Sequence, residues 1–264
     1  MSMTFKQIRS ATAVLTFGGV RFLIDPWFAD KGAFPPIPIA KTKGRASPMT
    51  DLPVSVEEIL AGVDAVVVTH LHFDHFDSTA AEAIPKDMPL FGQDEIDAEE
   101  LRKMGFSDVR ILRDEGVVFK GVTLYRTACL HGQPGRIAEL YDPLPMRGEV
   151  AGVVFVSPNE PKKFYLAADT IWFEGVRAAI ECHRPEVIAL NAAEASCENY
   201  GRIIMGIEDI EAVHRAAPEA TLIATHMDAV GHAELSRAGL RRFIVENHYE
   251  KTLLVPEDGE VLSL

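Results

Sequence analysis

The sequence predicts a layered α/β sandwich with helices on the outside, and three observations support this class. Short apolar runs rich in β-branched and aromatic residues recur along the chain and are separated by turn residues, as strands are. Segments with helical periodicity alternate with them and are more frequent in the second half. No linker or repeat interrupts the 264 residues. We therefore expect residues 1–264 to form one domain whose strands and helices pack as layers.

The predicted strands begin with a hairpin. Residues 14–17 and 20–24 flank Gly18-Gly19, a combination typical of a tight turn between two strands. Residues 65–68 contain an unbroken valine run, which indicates a strand that is buried on both faces. Later apolar runs of strand length lie at 117–119, 122–126, 153–156, 164–167, 187–190, 221–224 and 252–255.

The predicted helices have apolar residues at every third or fourth position. They lie at residues 56–60, 78–84, 94–104, 173–182, 207–216 and 232–246. Residues 27–53 and 133–149 follow neither pattern and are rich in proline or glycine. Loops of this length in a compact domain usually have a function, so we expect these two segments to lie near a site.

Composition excludes several classes of function. The chain has 39 acidic and 26 basic residues, a formal charge of −13, which disfavours binding to nucleic acid or to anionic membranes. No apolar run reaches about 18 residues, so no membrane span is expected and the expected partner is a small-molecule substrate. Self-association as a homo-oligomer is left open, because no interface can be read from one sequence.

Cysteine usage and the first residues predict a cytoplasmic location. Cys129, Cys182 and Cys197 are an odd number without CxxC spacing, which argues against a disulfide framework. The N-terminal residues lack a charged segment followed by a long apolar segment, so no signal peptide is expected.

A dense group of metal-binding side chains directly follows the strand at 65–68. His70, His72, Asp74 and His75 stand within six residues, and strand alternation places His70 and His72 on the same side. Neutral imidazoles and a carboxylate suit Zn²⁺, and Mn²⁺ or Fe²⁺ would also fit. The simpler alternative is a hydrated histidine-rich loop, but four ligand-type residues directly after a buried run favour a metal site.

Three further candidates stand where later predicted strands open into loops. These are His131, Asp169 and His226. Strand ends are the usual location of ligands on layered scaffolds. A lone histidine at a strand end is more often structural, so the argument rests on the set. Seven ligands are too many for one ion and suit two.

The HxHxDH motif, followed by single His, Asp and His residues at strand ends, resembles the metallo-β-lactamase fold superfamily. Residues 22–27 (FLIDPW), 166–170 (LAADT) and 255–260 (VPEDGE) are similar to the L-ascorbate-6-phosphate lactonase-like metal-dependent hydrolases. The resemblance covers nearly the whole chain and implies a four-layer αββα sandwich with metals at one edge of the two sheets. Ala168 departs from the glycine that relatives commonly have before the aspartate.

The resemblance also implies how the ligands divide between two divalent ions, with Zn²⁺ as the expected metal. His70, His72 and His131 would bind the first ion; Asp74, His75 and His226 would bind the second; and Asp169 would bridge them. Two such ions lower the pKa of a shared water. Asp74 would in addition hydrogen-bond the nucleophile and relay its proton, as the catalytic residue.

Weaker sequence signals indicate side chains that could contact the substrate. Arg136, Tyr141 and Arg147 follow His131 in an irregular segment, and Asn191 lies at the end of a predicted strand. The loop cations could grip a phosphate or carboxylate, although a solvated loop is the simpler interpretation; they are Lys31, Lys41, Lys43 and Arg45.

Some residues near these motifs have open or structural assignments. Asp25 either caps a turn or supports a metal ligand, and Trp27 is assigned to loop packing rather than to a substrate platform. The remaining histidines fall in helical patterns or at helix ends and are assigned to the surface or the core; they are His183, His214, His232 and His248.

The predicted function is a metal-dependent hydrolase that acts on a lactone, another cyclic ester or a phosphodiester of a small metabolite. The alternative is a mononuclear or di-iron redox enzyme on the same fold. Di-iron relatives carry Glu at the position of His72, which disfavours that alternative. A binding module with an inactive site is disfavoured as well, because all seven ligands are present.

Overall fold

The architecture is given by a computed structural model that describes residues 3–42, 45–144 and 146–264. In chain order the strands are β1 (Thr4–Arg9), β2 (Thr12–Phe17), β3 (Val20–Ile24), β4 (Ala65–Val67), β5 (Leu90–Gly92), β6 (Val109–Ile111), β7 (Val117–Phe119), β8 (Val122–Ala128), β9 (Ala151–Ser157), β10 (Glu160–Leu166), β11 (Val187–Asn191), β12 (Ser196–Cys197), β13 (Gly201–Arg202), β14 (Thr221–Thr225), β15 (Leu253–Leu254) and β16 (Val261–Ser263). The helices are α1 (Val56–Leu60), α2 (Ser78–Ala83), α3 (Glu95–Lys103), α4 (Ile137–Tyr141), α5 (Glu174–His183), α6 (Ile207–Ala216) and α7 (Arg237–Asn247).

Two mixed sheets dominate the described residues. The first has the order β16-β1-β2-β3-β4-β5-β6, the second has the order β15-β14-β11-β10-β9-β8-β7, and β12 pairs with β13 in a small ribbon. Aromatic side chains fill the space between the sheets, for example Phe22 and Phe155 with ring centroids 5.2 Å apart. This inner core is continuous across both sheets.

Helices cover the outer face of each sheet. Ile59 of α1 and Leu101 of α3 pack with the outer residues of the first sheet. Val176 of α5, Ile210 of α6 and Leu240 of α7 pack against the second sheet. Two sheets between two helical layers form the αββα sandwich of the metallo-β-lactamase fold, which confirms the predicted fold class.

Strand direction brings the loops that carry the candidate ligands to one edge. In the first sheet β3 and β4 run parallel. In the second sheet β10, β11 and β14 are parallel, and β8 runs the same way because β9 is antiparallel to both β8 and β10. Two backbone hydrogen bonds join the sheets at this edge, from Ala151 N to Thr69 O (3.1 Å) and from His226 N to Ser10 O (2.9 Å).

The predicted and observed elements differ at several places. The predicted strands all overlap observed ones, but β1, β5, β6, β12, β13 and β16 were not predicted, and all of these except β1 are only two or three residues long. The helix predicted at 232–246 begins at Arg237, because the Ser236 hydroxyl accepts a hydrogen bond from the Gly239 amide and caps the helix there. Residues 232–236 therefore belong to a loop. No helix of the described ranges is long and apolar enough to cross a membrane.

Candidate metal centre

Four of the predicted ligands lie on the loop that leaves β4. The loop turns back at once, since the His75 amide donates to the His72 carbonyl at 3.0 Å. Helix α2 then begins, with the Asp77 carboxylate accepting from the amide of its third residue as an N-cap. His70, His72, Asp74 and His75 are consequently buried, with at most 7% of their surface exposed.

The other three ligands follow strands of the second sheet. His131 lies after β8, Asp169 after β10 and His226 after β14, and all three are buried. Ala168 and His226 have left-handed φ angles of 57° and 61°, so the chain turns sharply where it leaves β10 and β14. Glycine adopts such a φ without steric conflict, whereas the alanine at 168 does not.

The donor atoms of these side chains converge in three overlapping groups. The groups are His70, His72 and His131; His70, His75 and Asp169; and Asp74, His75 and His226. Within each group the ligand atoms lie within 4.8 Å of one another. The structure thus brings all seven predicted side chains together, although they lie up to 156 residues apart in the chain.

Asp169 occupies the middle of the cluster. Its Oδ2 lies 3.3 Å from His75 Nε2, 3.7 Å from His131 Nε2 and 3.9 Å from His70 Nε2. Its Oδ1 lies 3.8 Å from His226 Nε2. A carboxylate whose two oxygens face different imidazoles has the position that a bridging ligand requires.

In four of the five histidines, a protein oxygen lies within hydrogen-bond distance of the ring nitrogen that faces away from the cluster. His75 Nδ1 lies 2.9 Å from Asp25 Oδ2, and His70 Nδ1 lies 3.1 Å from Thr69 Oγ1. Backbone carbonyls serve two others: His131 Nδ1 lies 2.9 Å from Ile203 O, and His72 Nε2 lies 2.6 Å from Arg147 O. Such partners fix the ring orientation of metal-binding histidines. Asp25 therefore supports a candidate ligand.

The residues present fit a bound metal. His70 Nε2 is buried and has no hydrogen-bond partner, although a buried polar atom without a partner is unfavourable. The Nε2 atoms of His75 and His226 face each other at 3.0 Å. Five imidazoles and two carboxylates packed away from water suit divalent cations, which would engage these free nitrogens and neutralise the carboxylates.

Burial and neighbouring charges favour the protonation states in which these side chains can bind a metal. Burial lowers the pKa of His70 and His72, that of His72 to about 4, and neighbouring imidazoles act in the same direction. Burial would also lower the pKa of His75, but Asp169 and Asp25 outweigh it and raise that pKa. Burial would raise the pKa of Asp169, yet His75 and the other imidazoles hold it well below its usual range. Asp169 is therefore an anion, and His70 and His72 are neutral, as metal ligands are.

An apolar cavity of about 480 Å³ opens onto this cluster. His72, Asp74, His131 and Asp169 form its floor. Many wall residues come from the two segments that were predicted to be irregular, among them Phe34, Ile37, Ile39, Leu140, Leu144 and Met146, and Phe73 of the ligand loop joins them. No lysine or arginine lines this cavity within the described residues.

Of the residues predicted to contact substrate, Tyr141 lines the cavity. Its ring lies over His131 with centroids 5.6 Å apart and planes at 29°. Asn191 lies behind the cluster, where its Nδ2 donates to Asp169 Oδ1 at 2.6 Å and its Oδ1 accepts from Thr225 Oγ1 at 2.8 Å. Asn191 therefore orients the central carboxylate.

The two predicted arginines point elsewhere. Arg136 pairs with Glu139 at 2.9 Å and lies on the protein surface. Arg147 pairs with Asp94 at 2.8 Å and with Asp97 at 2.7 Å, in a smaller cavity of about 300 Å³ on the other side of His72.

The loop cations that the structure describes likewise form ion pairs with carboxylates or are exposed to solvent. Lys41 Nζ pairs with Glu234 at 2.7 Å, and Lys31 is exposed to solvent. Lys43 lies outside the described residues. Trp27 is fully buried with Phe34 and Phe73 as neighbours, so it packs the loop, as predicted.

The sequence interpretation missed His232. It was assigned to a helix and to the surface or core, yet it lies in the loop between β14 and α7 and lines the cavity. Ser236 could have predicted this position, because serine is a common N-cap residue. With α7 beginning after Ser236, His232 lies in the same loop as His226.

The chain is similar to known proteins over almost its whole length. A family model described as "Beta-lactamase superfamily domain" matches residues 20–227. The UPF0173 protein YddR of Bacillus subtilis (strain 168) is 43% identical over 258 residues, which cover 98% of each chain.

Two solved structures share both sequence and fold. A possible metal-dependent hydrolase from Veillonella parvula DSM 2008 is 39% identical, with a TM-score of 0.95 and 100% of each chain covered. An isothiocyanate hydrolase from Delia radicum gut bacteria is 39% identical, with a TM-score of 0.92 and 99% of each chain covered.

Proposed function

Because the chain belongs to the family of the beta-lactamase superfamily domain and is a metal-dependent hydrolase, we propose that it hydrolyses isothiocyanates that carry an apolar substituent. The proposal includes two divalent ions, Zn²⁺ in the first place, held by the seven side chains of the cluster. It also includes a cytoplasmic location, which the free thiols of Cys129, Cys182 and Cys197 support.

The observation that carries this proposal is the apolar cavity over the metal centre. An isothiocyanate, R–N=C=S, is small and uncharged, so its substituent R gains by leaving water for walls such as Phe34, Leu140 and Leu144. The 39% identity to an isothiocyanate hydrolase supports the same substrate class. The hydrolase relatives also favour hydrolysis over the redox alternative.

Of the substrates predicted from the sequence, the cavity favours neutral ones over anionic ones. A phosphodiester or phosphorylated lactone carries negative charge, and the described lining residues offer no lysine or arginine to pair with it. A neutral lactone would fit the walls as well as an isothiocyanate does. Lactones therefore remain in the test as the second substrate class.

The proposed reaction adds water across the N=C=S group. When bound, the two metal ions would lower the pKa of a shared water and so supply the nucleophile near neutral pH. A C–O bond forms at the central carbon, the C=N electron pair moves to nitrogen, and nitrogen takes a proton, which gives a thiocarbamic acid. Breaking of the C–N bond with a second proton transfer to nitrogen then releases the amine R–NH₂ and carbonyl sulfide.

Asp74 is placed to handle the proton of the water. It lines the cavity, and its Oδ2 lies 3.5 Å from His226 Nε2. Burial would raise its pKa, but the hydrogen bond to His226 and the nearby imidazoles hold the pKa well below its usual range. An ionised carboxylate only accepts hydrogen bonds, so Asp74 would orient the water and take its proton for transfer to nitrogen.

The cavity also protects the protein from its own substrate. Isothiocyanates react with thiolates, and Cys197 lines the cavity. Burial raises the pKa of Cys197 to about 11, so the thiol stays protonated and is a poor nucleophile.

The test is a substrate panel with the purified protein at known metal content. We expect about two metal equivalents per chain and turnover of phenethyl isothiocyanate with a kcat/KM of about 10⁴ M⁻¹ s⁻¹ or more. Equimolar release of phenethylamine and carbonyl sulfide would identify the reaction. An apolar lactone and bis(p-nitrophenyl) phosphate complete the panel, the latter expected to be at least about 100-fold slower. Turnover of the lactone but not of the isothiocyanate by metal-loaded protein would overturn the proposal.

A further inference from the structure

His232 is a buried imidazole that faces the cavity and is not one of the seven ligands. It lies six residues after His226, in the loop before α7, and 8% of its surface is exposed. It lines the cavity together with Asp74, one of the residues on the floor. Asp74 and then His226, which form one half of the cluster, are the side chains whose charges affect the pKa of His232 most.

The ring of His232 has no hydrogen-bond partner. Its Nδ1 is buried and unpartnered, and among the described residues no hydrogen bond engages either ring nitrogen. His72, His75 and His131 differ, because each has one ring nitrogen held by a protein oxygen. A buried polar group without a partner costs about 1–3 kcal/mol. Such a group in a folded protein calls for an explanation, and a substrate contact supplies one.

His232 can supply a hydrogen-bond donor to a molecule in the cavity. Whether neutral or protonated, its imidazole carries at least one N–H donor. Among the residues that the structure describes, no partner fixes which nitrogen holds a hydrogen. Apart from the cluster, the polar side chains on the cavity wall among the described residues are those of His232, Tyr141 and Cys197. Tyr141 packs over His72 and His131, on the other half of the cluster.

We propose that His232 is a catalytic residue that donates a hydrogen bond to the substrate nitrogen while water adds to the neighbouring carbon. The proposal rests on the isothiocyanate hydrolysis proposed above. As the C=N electron pair moves to nitrogen, negative charge develops there, and a fixed donor in an apolar cavity stabilises it more than water would. The hydrogen bond transfers no proton, so the proton that nitrogen gains still comes from the attacking water through Asp74.

The experiment compares His232→Leu and His232→Gln with the control His183→Leu, which replaces a histidine at the end of α5 outside the cavity. Each variant is assayed for kcat and KM with phenethyl isothiocyanate, for metal content and for melting temperature. We expect His232→Leu to lower kcat by about 100- to 1000-fold with little change in KM or metal content. His232→Gln keeps an N–H donor and should restore at least about 10-fold of that loss. His183→Leu should behave as the unmodified protein does.

Binding supplies a readout that is independent of turnover. N-phenethylthiourea is a stable analogue of the thiocarbamic acid, and calorimetry gives its Kd. We expect His232→Leu to weaken its binding about 10-fold and His232→Gln to weaken it less. If the leucine variant does not fold, His232→Ala replaces it, because an alanine side chain carries no hydrogen-bond donor.

The outcomes separate this inference from the proposed function. If the unmodified protein does not hydrolyse isothiocyanates, both fail. If it does, but His232→Leu keeps kcat within about threefold, the role of His232 alone is overturned. Loss of metal in parallel with activity, or no rescue by glutamine in kcat and Kd, would also overturn it, because either result marks a purely structural role.

Discussion

At the scale of single residues, Asp25 links the chain that leaves β3 to the ligand loop after β4. Its Oδ1 accepts from the Thr69 amide at 2.7 Å, and its Oδ2 accepts from the Thr69 hydroxyl at 2.8 Å and lies 2.9 Å from His75 Nδ1. The carboxylate is fully buried, and both of its oxygens have hydrogen-bond partners. His75 is thereby oriented so that its Nε2 points to Asp169.

Asp74 has fewer such constraints and faces the cavity, which permits a test of its chemical role. We expect Asp74→Asn to lower kcat at least about 100-fold, because an amide cannot take a proton from water. Bound metal, measured by elemental analysis, should fall by less than about twofold, since the other ligands remain. Asp108→Asn, at an exposed pair with Arg110, is the matched control. Equal losses of metal and activity in Asp74→Asn would refute a role separate from ligation.

At the scale of elements, helix α3 is tied to the metal centre through Arg147. Its guanidinium pairs with Asp94, the N-cap of α3, and with the buried Asp97 on the first turn. Its backbone carbonyl lies 2.6 Å from His72 Nε2. One residue therefore anchors the segment before β9 to a helix and orients a candidate ligand at the same time.

Breaking this anchor should affect both stability and metal binding. We expect Arg147→Met to lower the free energy of unfolding by about 1–3 kcal/mol, because Asp97 stays buried without its charged partner. Metal affinity should fall about 10-fold or more as the acceptor of His72 shifts. Urea unfolding of the metal-free protein and a competition titration with a chelator measure the two effects. Arg102→Met removes the exposed pair with Glu95 instead and should change stability by less than about 1 kcal/mol. An unchanged metal affinity in Arg147→Met would show that this anchor does not position His72.

At the scale of the whole molecule, the metal centre joins the two sheets. His70 and His75 come from the first sheet, whereas His131, Asp169 and His226 come from the second. Besides the apolar core between the sheets, hydrogen bonds such as that from the Ala151 amide to the Thr69 carbonyl link them at this edge. Ions bound to both sets of ligands would therefore resist separation of the layers.

Metal removal should consequently destabilise the entire fold. At free metal about 1000-fold above Kd, binding stabilises the folded state by about 4 kcal/mol. For a chain of this size that corresponds to a melting temperature lower by about 8–16 °C after chelation. Calorimetry with and without chelator, followed by re-addition of Zn²⁺, measures the change. A melting temperature that chelator leaves unchanged would contradict a metal centre that holds the sheets together.

The sequence by itself determined the fold class and the candidate ligands, because both are encoded by local patterns. Apolar runs and helical periodicity report which residues are buried in each element. His70, His72, Asp74 and His75 are adjacent in the chain, and His131, Asp169 and His226 each stand at a strand end. Strands β5 (LFG) and β6 (VRI) escaped prediction because neither is an unbroken run of β-branched and aromatic residues, as the equally short β7 (VVF) is.

Only the tertiary structure decided what surrounds the metal centre. The walls of the cavity come from segments around Phe34 and Leu144, about 110 residues apart, whose apolar side chains become one surface only when the loops pack over the sheet edge. Arg147 was predicted to contact substrate, but two carboxylates on α3 draw its guanidinium away from the cavity. His232 enters the cavity because α7 begins five residues later than its periodicity indicates. Local sequence encodes burial and ligand type, whereas the direction of a side chain depends on the distant segments that pack against it.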